Sequence, residues 1–236
     1  MTVTQRHSKP APDFPRPYTT VDVVIFTIAQ DRLNVLLVQR PGHDDDPFPG
    51  LWALPGGFVN VDLDADLQAC AARKLKEKTG VDSPYLEQLG SWGGATRDPR
   101  GWSLSTFYLA LLAPDVELQG ADLRFVTLSE VLEGRLALPF DHAQLVLQAA
   151  ERLAGKALYT ALPLYLLAPR FTVTEALSAF QACLGQAVQH TTLRGRLEKM
   201  KQQGWVVDSG EKNQPRMGRP QVLLEHHPQA DGIFIF

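Results

Sequence analysis

The sequence predicts an α+β protein with two domains, and three features support this prediction. β-rich segments with interspersed helical segments, including one antiparallel hairpin, fill the region from Tyr18 to about Val126. The region from residue 156 onward contains helical segments followed by a short hairpin with a basic tip. A length of 236 residues suits one large or two small domains. We therefore expect a flexible lead-in at residues 1–16, an α+β sandwich at 17–155 and a smaller domain at 156–236.

In the first half, β-branched and aromatic residues mark the strands, and turn residues separate them. Ala29–Arg32 is the expected hairpin turn, and Pro41–Gly50 is a loop rich in Pro, Gly and Asp. Strands are expected at Thr20–Ile28, Leu33–Gln39, Leu51–Leu54, Tyr85–Leu89, Leu104–Leu112 and Leu123–Val126. Helices are expected at roughly Asp64–Lys78, Ser129–Glu133 and Asp141–Leu153.

The helix at Asp64–Lys78 has an unusual polar face. Lys74, Glu77 and Lys78 are spaced i, i+3 and i+4, so they share one side of the helix. Three carboxylates at this spacing would offer oxygen ligands to Mg²⁺, but two ammonium groups repel a divalent cation. The simplest alternative is an ordinary solvated face with weak ion pairs.

The second half has the pattern of a winged helix-turn-helix. Thr172 and Glu175 form a capping box that opens a helix ending at Gly185. A further helix starts near His190 or Thr191 and stops at Gly204, with Leu193, Leu197 and Met200 as its apolar stripe. The remaining expected segments are a helical segment at Ala157–Leu167, strands at Trp205–Val207 and Gln221–Glu225, and a basic wing at Asp208–Pro220; His226–Phe236 has no assignment.

The helix that starts near Thr191 is the candidate recognition helix. Its first turns and the wing carry residue types that contact bases and phosphates of double-stranded DNA. The candidate DNA-binding residues are Thr191, Thr192, Arg194, Arg196, Lys199, Lys201, Lys212, Arg216 and Arg219. The alternative is a surface helix and loop whose basic residues only promote solubility, but helix and wing together favour DNA binding.

The segment Arg97–Trp102 is the most informative loop of the first half. Arg97 and Arg100 are suited to clamp phosphates. Trp102 or Trp52 is suited to stack on a base, and Arg40 is a weaker candidate for ligand binding. The alternatives are a structural turn for the arginines and core positions for the tryptophans.

Leu51–Phe58 and the following helix resemble the Nudix box. Arg73, Leu75, Glu77, Gly80 and Val81 fit its pattern. Lys74 and Lys78 stand where the pattern has Glu, Ala65 stands at its earlier Glu, and the spacing from Gly57 to Arg73 is 16 residues where the pattern has 14. Metal-dependent hydrolysis is therefore not expected, and no catalytic or metal-binding residue is predicted.

The span from about Pro17 to Glu225 resembles the Nudix-related transcriptional regulators of bacteria, the NrtR family. Besides the box, the residues that carry this resemblance are Thr20–Val24, Tyr85–Leu89, Arg97–Trp102, Phe140–His142, Lys156–Tyr159, Phe171–Thr172 and Gly218–Pro220. The resemblance implies an α/β/α sandwich with a C-terminal winged helix, and a homodimeric repressor that ADP-ribose or a related phosphorylated ribose metabolite releases from its operator, often in NAD metabolism. The effector-binding residues it suggests are Arg40, Trp52, Phe58, Lys74, Glu77, Lys78, Arg97, Arg100 and Trp102.

A hypothesis about the lysines goes beyond the resemblance. Lys74 or Lys78 supplies the positive charge that a metal provides in the enzymes, so that the diphosphate is held and not cleaved. The alternative function is a Mg²⁺-dependent hydrolase of ADP-ribose-type substrates with an accessory domain. A third is an effector-binding module that docks a protein instead of DNA.

Composition excludes other classes. The longest apolar runs are too short to span a bilayer, and the polar, proline-containing segment 1–16 does not resemble a secretory signal, so a cytoplasmic location is expected. Residues 156–236 carry nine basic and six acidic side chains, against 14 and 20 in the remainder. Cys70 and Cys183 are expected to be buried thiols of a reducing compartment.

Overall fold

A seven-stranded sheet forms the framework of the first domain. The computed structural model describes residues 15–83, 85–120, 122–214, 219–227 and 232–236. The sheet has the order β3-β2-β1-β6-β5, with β4 paired to β1 and β7 paired to β2. Its strands are β1 (Tyr18–Ala29), β2 (Arg32–Gln39), β3 (Trp52–Ala53), β4 (Gly56–Phe58), β5 (Leu86–Gly94), β6 (Ser103–Leu111) and β7 (Leu123–Thr127). β1 and β6 run parallel, and the other pairs are antiparallel.

Helices cover both faces of the sheet. α1 (Leu67–Thr79) buries Cys70, Ala71 and Leu75 against one face of β1. α2 (Leu128–Leu132) and α3 (His142–Ala157) pack on the opposite face through residues such as Val131 and Leu145. Alternating β1 residues therefore serve two different cores. The α/β/α sandwich is confirmed.

The turn between β1 and β2 explains why this hairpin is tight. Gln30 and Asp31 have φ angles of 52° and 58°. Two successive residues with positive φ form the kind of two-residue turn whose twist matches a β-hairpin. The expected turn at Ala29–Arg32 thus lies where the sequence predicts it.

The second domain contains two helices and a small sheet. α4 (Val173–Leu184) begins at the predicted capping box, in which Thr172 and Glu175 bind each other's backbone, and α5 (His190–Gln202) follows it. β8 (Arg170–Phe171), β10 (Val222–His226) and β9 (Val206–Lys212) form an antiparallel sheet in that order. The expected stripe of Leu193, Leu197 and Met200 is buried in the core of this domain. This arrangement is a winged helix.

Three sequence-based expectations need correction at the junction of the domains. α3 continues to Ala157, and a short 3-10 helix at Leu162–Leu166 replaces the expected helix at Ala157–Leu167. Pro163 at the start of that turn lacks the N–H that a longer helix would need. The expected boundary at 155/156 therefore lies inside a helix, and Ala179 and Cys183 of α4 join the core of the sandwich.

The last five residues, which had no assignment, complete the second domain. Phe234 is buried beside Trp205, with ring centroids 5.7 Å apart. The Phe234 carbonyl accepts from the N–H of Ala161 at 2.9 Å, and the Phe236 N–H donates to the carbonyl of Tyr159 at 2.9 Å. Residues 232–236 thus pack on the connection between the domains.

Both cysteines are free and buried, as predicted. Burial raises the pKa of the Cys70 thiol to about 11, and the neighbouring Asp64 acts in the same direction. Burial also raises the pKa of Cys183. Within the described residues, no helix is both long and apolar enough to cross a membrane.

His226 should make the stability of the protein depend on pH. Burial, followed by repulsion from His227, lowers its pKa from 6.5 to about 4. The unfolded chain takes up this proton near pH 6.5 and the folded chain only near pH 4, so the stabilisation is complete above pH 6.5 and is lost as the pH falls. We expect urea denaturation to show a loss of about 1 to 2 kcal/mol between pH 7 and pH 5 from this group. His226→Gln should lose correspondingly less over the same interval, and equal losses in both proteins would contradict the expectation.

Candidate functional site

A cleft of about 240 Å³ opens where the box segment meets the centre of the sheet. Five of the nine predicted effector-binding residues line it, namely Arg40, Phe58, Lys78, Arg97 and Arg100. Side chains that the sequence analysis did not select also line it, among them Thr20, Asp22, Asp46, Asp98, Phe140 and His142. Cationic and anionic groups thus line the same opening.

The approach of β4 to β1 shapes the floor of this cleft. Gly56 pairs with Asp22 across the two strands. A Cβ atom on Gly56 would overlap the carbonyl oxygen of Val21 and lie 2.5 Å from Oδ1 of Asp22. Glycine is therefore required here for the box segment to lie against β1.

The face of α1 that was expected to be unusual lies beside the cleft. Glu77 accepts from Nη1 of Arg73 at 2.8 Å and from Nζ of Lys74 at 3.1 Å. The bond from Arg73 is the main cause that lowers the pKa of Glu77, and Lys74 adds to it while burial opposes it. Each carboxylate oxygen of Glu77 is thus already occupied by a cation.

A second carboxylate near the box was missed by the sequence analysis. The pattern placed the earlier acidic position at Ala65, but the structure brings Asp64 to Arg73. Asp64 accepts from Nε and Nη2 of Arg73, both at 2.6 Å, and its side chain is 1% exposed. This bidentate contact lowers the pKa of Asp64. Asp64 lies one position before the acidic position that alignment from the helix end gives, so the pattern missed it.

The two lysines differ in their surroundings. Lys74 lies over the backbone of Gly57, so that a Cβ atom there would be 3.1 Å from its Cε. Lys78 is exposed and lines the cleft. Within the part of the chain that the structure describes, the ammonium group of Lys78 makes no hydrogen bond or ion pair, whereas that of Lys74 is bound to Glu77.

A buried polar network lies behind the cleft. Arg97 donates from Nε and Nη2 to the two oxygens of Asp141 at 2.8 and 2.7 Å, and Nη2 is 3.4 Å from Oδ2 of Asp22. Asp22 also accepts from Ser105 at 2.5 Å. His142 accepts from the N–H of Leu54 through Nδ1 at 3.0 Å, and its Nε2 faces Oδ1 of Asp22 at 3.5 Å.

Asp22 is ionised in this network. Burial disfavours its charge, but contacts with His142, Ser105 and Arg97 outweigh burial and lower its pKa. Because the accepting Nδ1 of His142 carries no proton, the ring donates from Nε2 toward this carboxylate. The network therefore links the centre of β1 to the first residues of α3.

The other arginines of the cleft are also paired with aspartates. Arg40 binds Asp46 through Nε and Nη2 at 2.6 to 2.9 Å, which holds the loop 41–50 in place. Arg100 binds Asp98 at 3.0 and 2.7 Å and lies 5.1 Å over the ring of Phe58. The arginines of the expected phosphate clamp are therefore each paired with an aspartate.

The tryptophans and Glu77 lie outside the lining of the cleft. Trp52 is partly buried against the core of the sandwich, with Arg124 lying 5.8 Å over its ring. Trp102 is 50% exposed, and its ring covers Gly93. The surroundings of Trp52 therefore favour a core position, which was the alternative to base stacking. Trp102 packs against its own sheet.

The candidate DNA-binding residues differ in their surroundings. Thr191, Thr192, Arg194, Lys199, Lys212 and Arg219 are exposed. Lys201 binds Asp208 at 2.6 Å, and this ion pair joins α5 to β9. Arg216 lies outside the described residues.

Arg196 was predicted to contact DNA, but its side chain is bound within the protein. Its guanidinium donates to the carbonyls of Ala157 and Leu158 at 3.1 and 2.5 Å. It also lies 4.6 Å over the ring of Phe236. Helical spacing shows only that Arg196 leaves the apolar stripe, and it does not reveal that the C-terminal residues return to cover this side of α5.

Among the described residues, no group of three or more His, Cys, Asp or Glu side chains is arranged to hold a metal ion. Two acidic side chains of the box, Asp64 and Glu77, are instead bound by Arg73 and Lys74.

Known proteins combine the same two domains. Residues 18–149 match the family model of the NUDIX domain. The ADPR responsive transcriptional repressor NtrR of Acinetobacter baylyi is 46% identical over 189 residues, which are 78% of this chain and 74% of that protein. The chain belongs to the NrtR family of Nudix-related transcriptional regulators.

Solved structures of this family cover both domains. A crystal structure of Shewanella oneidensis NrtR complexed with a 27mer DNA superposes with a TM-score of 0.77 at 40% identity, over 89% of this chain and 93% of that chain. The NUDIX domain of the same protein complexed with ADP ribose superposes with a TM-score of 0.56 at 43% identity, over 61% of this chain and 94% of that chain.

Several residues of the cleft of this NrtR family member were not selected by the sequence analysis. Asp22, Ser105, Asp141 and His142 form the polar network behind the cleft, although only Arg97 of this network was selected. Phe140, Asp141 and His142 were part of the resemblance to the family, but no property of the isolated sequence assigned them a role. Phe140 has a φ of 55°, a conformation that aromatic residues rarely adopt.

Proposed function

We propose that this chain is a bacterial transcriptional repressor that binds operator DNA through its winged helix and senses ADP-ribose or a related phosphorylated ribose metabolite in the cleft of its Nudix domain. The observation that carries the proposal is the polar face of α1, where Lys74 and Lys78 flank a Glu77 that is already bound by cations. A site of this kind attracts a diphosphate but has little affinity for Mg²⁺. Binding without cleavage is what a sensor requires.

Ligand recognition would combine the free and the paired cations of the cleft. Lys78 meets the diphosphate directly, and Lys74 follows if it leaves Glu77. Arg40, Arg97 and Arg100 contribute donors that their aspartate partners do not use, and Phe58 offers an aromatic face that Arg100 already covers. Glu77 acts by holding Lys74, and Trp52 and Trp102 have no direct part in this proposal.

DNA recognition would use the exposed beginning of α5 and the wing. Thr191, Thr192 and Arg194 lie in the first turns, where a recognition helix meets base edges. Lys199, Lys212 and Arg219 are available to phosphates, and Arg216 remains a candidate in the wing. We further propose a cytoplasmic homodimer that controls genes of NAD metabolism, in line with the family resemblance.

The test is binding of the full-length protein to DNA from upstream of its own gene, followed by fluorescence anisotropy. We expect ADP-ribose to weaken this binding, and a rising salt concentration to weaken it steeply as phosphate contacts are screened. Arg194→Ala should lower the affinity by about 1 to 3 kcal/mol, which is roughly 5- to 150-fold.

Lys76→Ala is the matched control, because Lys76 is an exposed basic residue on α1 bound to Asp82. It should leave DNA affinity unchanged. Equal affinities of wild type and Arg194→Ala, with no dependence on salt, would contradict DNA binding through α5 and favour a protein-docking domain.

A further inference from the structure

Helix α3 is held at each end by an arginine from a different functional element. At its beginning, Asp141 occupies the N-cap position, yet its side chain makes no hydrogen bond to its own helix. The carboxylate is instead bound by Nε and Nη2 of Arg97, at 2.8 and 2.7 Å. Because Arg97 also lines the cleft, the start of α3 is tied to the ligand site.

At its end, α3 is tied to the candidate recognition helix. The last carbonyl groups of a helix lack partners within the helix, and an arginine side chain satisfies them well. Arg196 of α5 supplies these bonds to Ala157 and Leu158, at 3.1 and 2.5 Å. The ring centroids of Phe180 and Phe236 lie 5.5 and 4.6 Å from the guanidinium carbon of Arg196, and these contacts fix the direction of its side chain.

Between these two arginines, α3 is a packed and continuous helix. Its 16 residues span about 24 Å. Leu145, Ala149 and Leu153 are fully buried in a core that also contains Ala179 and Cys183 of α4. A helix packed in this way moves as one body, because close-packed side chains do not yield independently.

We infer that α3 couples the ligand cleft to the recognition helix, and that Arg196 is the positioning residue at the DNA-binding end. This inference rests on the proposed function and adds the route by which the two sites communicate. A ligand can shift a conformational equilibrium only through contacts that differ between the states. Here an anionic diphosphate that binds the unused Nη1 donor of Arg97 also attracts the whole guanidinium away from Asp141, and this competition supplies the difference.

Release from Arg97 changes the first turn of α3. The freed carboxylate of Asp141 can then cap its own helix, as aspartate commonly does. The preceding Phe140, held at a positive φ between Arg40 and Arg97, can relax at the same time. The resulting displacement of α3 reaches α5 through Arg196.

A second contact joins the domains and provides a control. Oγ of Ser178 on α4 lies 2.5 Å from Oδ1 of Asp31 in the β1–β2 turn, and the bond is exposed. This contact joins the two domains without involving α3. If this contact carried the coupling, Ser178→Ala would weaken the response while changes of Arg196 would not.

The experiment measures the DNA dissociation constant of the full-length protein with and without saturating ADP-ribose, and the ADP-ribose dissociation constant with and without DNA. The quantity of interest is the ratio of the two DNA dissociation constants, which reciprocity requires to equal the ratio for ADP-ribose. In Arg196→Gln, the affinity for DNA without ADP-ribose and the affinity for ADP-ribose without DNA should stay within about threefold of the wild-type values. The ratio should fall at least about fivefold toward one. Arg196→Lys should restore part of the ratio, since it retains one donor.

Two further variants keep the inference open to contradiction. Asp141→Asn acts at the opposite end of α3 and should also lower the ratio, even if Arg196→Gln proves poorly folded. Ser178→Ala should leave the ratio at the wild-type value. If Arg196→Gln and Asp141→Asn both keep the ratio of the wild-type protein, the inference is overturned and the proposed function stands. If the ratio in the wild-type protein is itself one, the proposed function is overturned as well.

Discussion

Replacing Arg97 by alanine should lower the free energy of unfolding by about 3 to 5 kcal/mol, because it leaves buried charges without a partner. The side chains of Arg97, Asp22 and Asp141 are 9%, 10% and 12% exposed. Asp141 would lose both of its bonds to the guanidinium, and Asp22 would lose a neighbouring cation. Urea denaturation at pH 7 measures the change, and titration with ADP-ribose should show weaker binding in the same variant.

A double variant separates the lost ion pair from lost packing. In the Arg97→Ala background, Asp141→Asn removes the stranded charge and should recover about 1 to 2 kcal/mol. Arg135→Ala is the control, because Arg135 and Glu133 form a pair whose side chains are more than half exposed. It should change stability by less than about 0.5 kcal/mol. A loss below about 1 kcal/mol in Arg97→Ala would show that the network is not a significant source of stability.

The elements that sequence analysis predicted well are those encoded by local spacing. The capping box at Thr172 and Glu175, the stripe on α5 and the lysine-bearing face of α1 each depend on residues within a few positions of one another. Periodicity and capping chemistry act at that range. The same argument explains the tight turn at Gln30 and Asp31.

The polar network behind the cleft could not be predicted in this way. Asp22, Arg97, Ser105 and Asp141 come from four segments separated by up to 119 positions in the sequence. Their meeting depends on the parallel pairing of β1 with β6 and on the entry of α3 beside them. A charged residue inside the apolar strand β1 was the available signal, because buried strands rarely carry an isolated carboxylate.

Arg196 illustrates a different limit. Its position on α5 predicts that it leaves the apolar stripe and reaches a phosphate, whereas in the structure its guanidinium contacts Phe236 and the end of α3. The mutual arrangement of α3, α5 and the C-terminal residues is a property of the tertiary fold. A basic residue on a recognition helix therefore needs its surroundings before it can be assigned to DNA.

Lys78→Glu combined with Lys74→Glu should convert ligand binding from metal-independent to metal-dependent. In the wild-type protein, affinity for ADP-ribose should be the same in EDTA and in Mg²⁺, because ammonium groups already provide the positive charge. The double variant places acidic groups at both positions around Glu77, and these repel the diphosphate. The loss of two charged contacts should cost about 2 to 4 kcal/mol in EDTA, which is on the order of 30- to 1000-fold in affinity.

The control for this charge reversal lies on the same helix. Lys76 is 61% exposed, binds Asp82 and does not line the cleft, so Lys76→Glu should change affinity by less than about threefold. Mg²⁺ should restore part of the affinity of the double variant, since three carboxylates at i, i+3 and i+4 form a site for this ion. Calorimetry measures the affinities, and release of AMP reports hydrolysis. Strong dependence on Mg²⁺ in the wild-type protein, or rapid AMP release from it, would instead support the hydrolase alternative, because both require a metal that the lysines of α1 should repel.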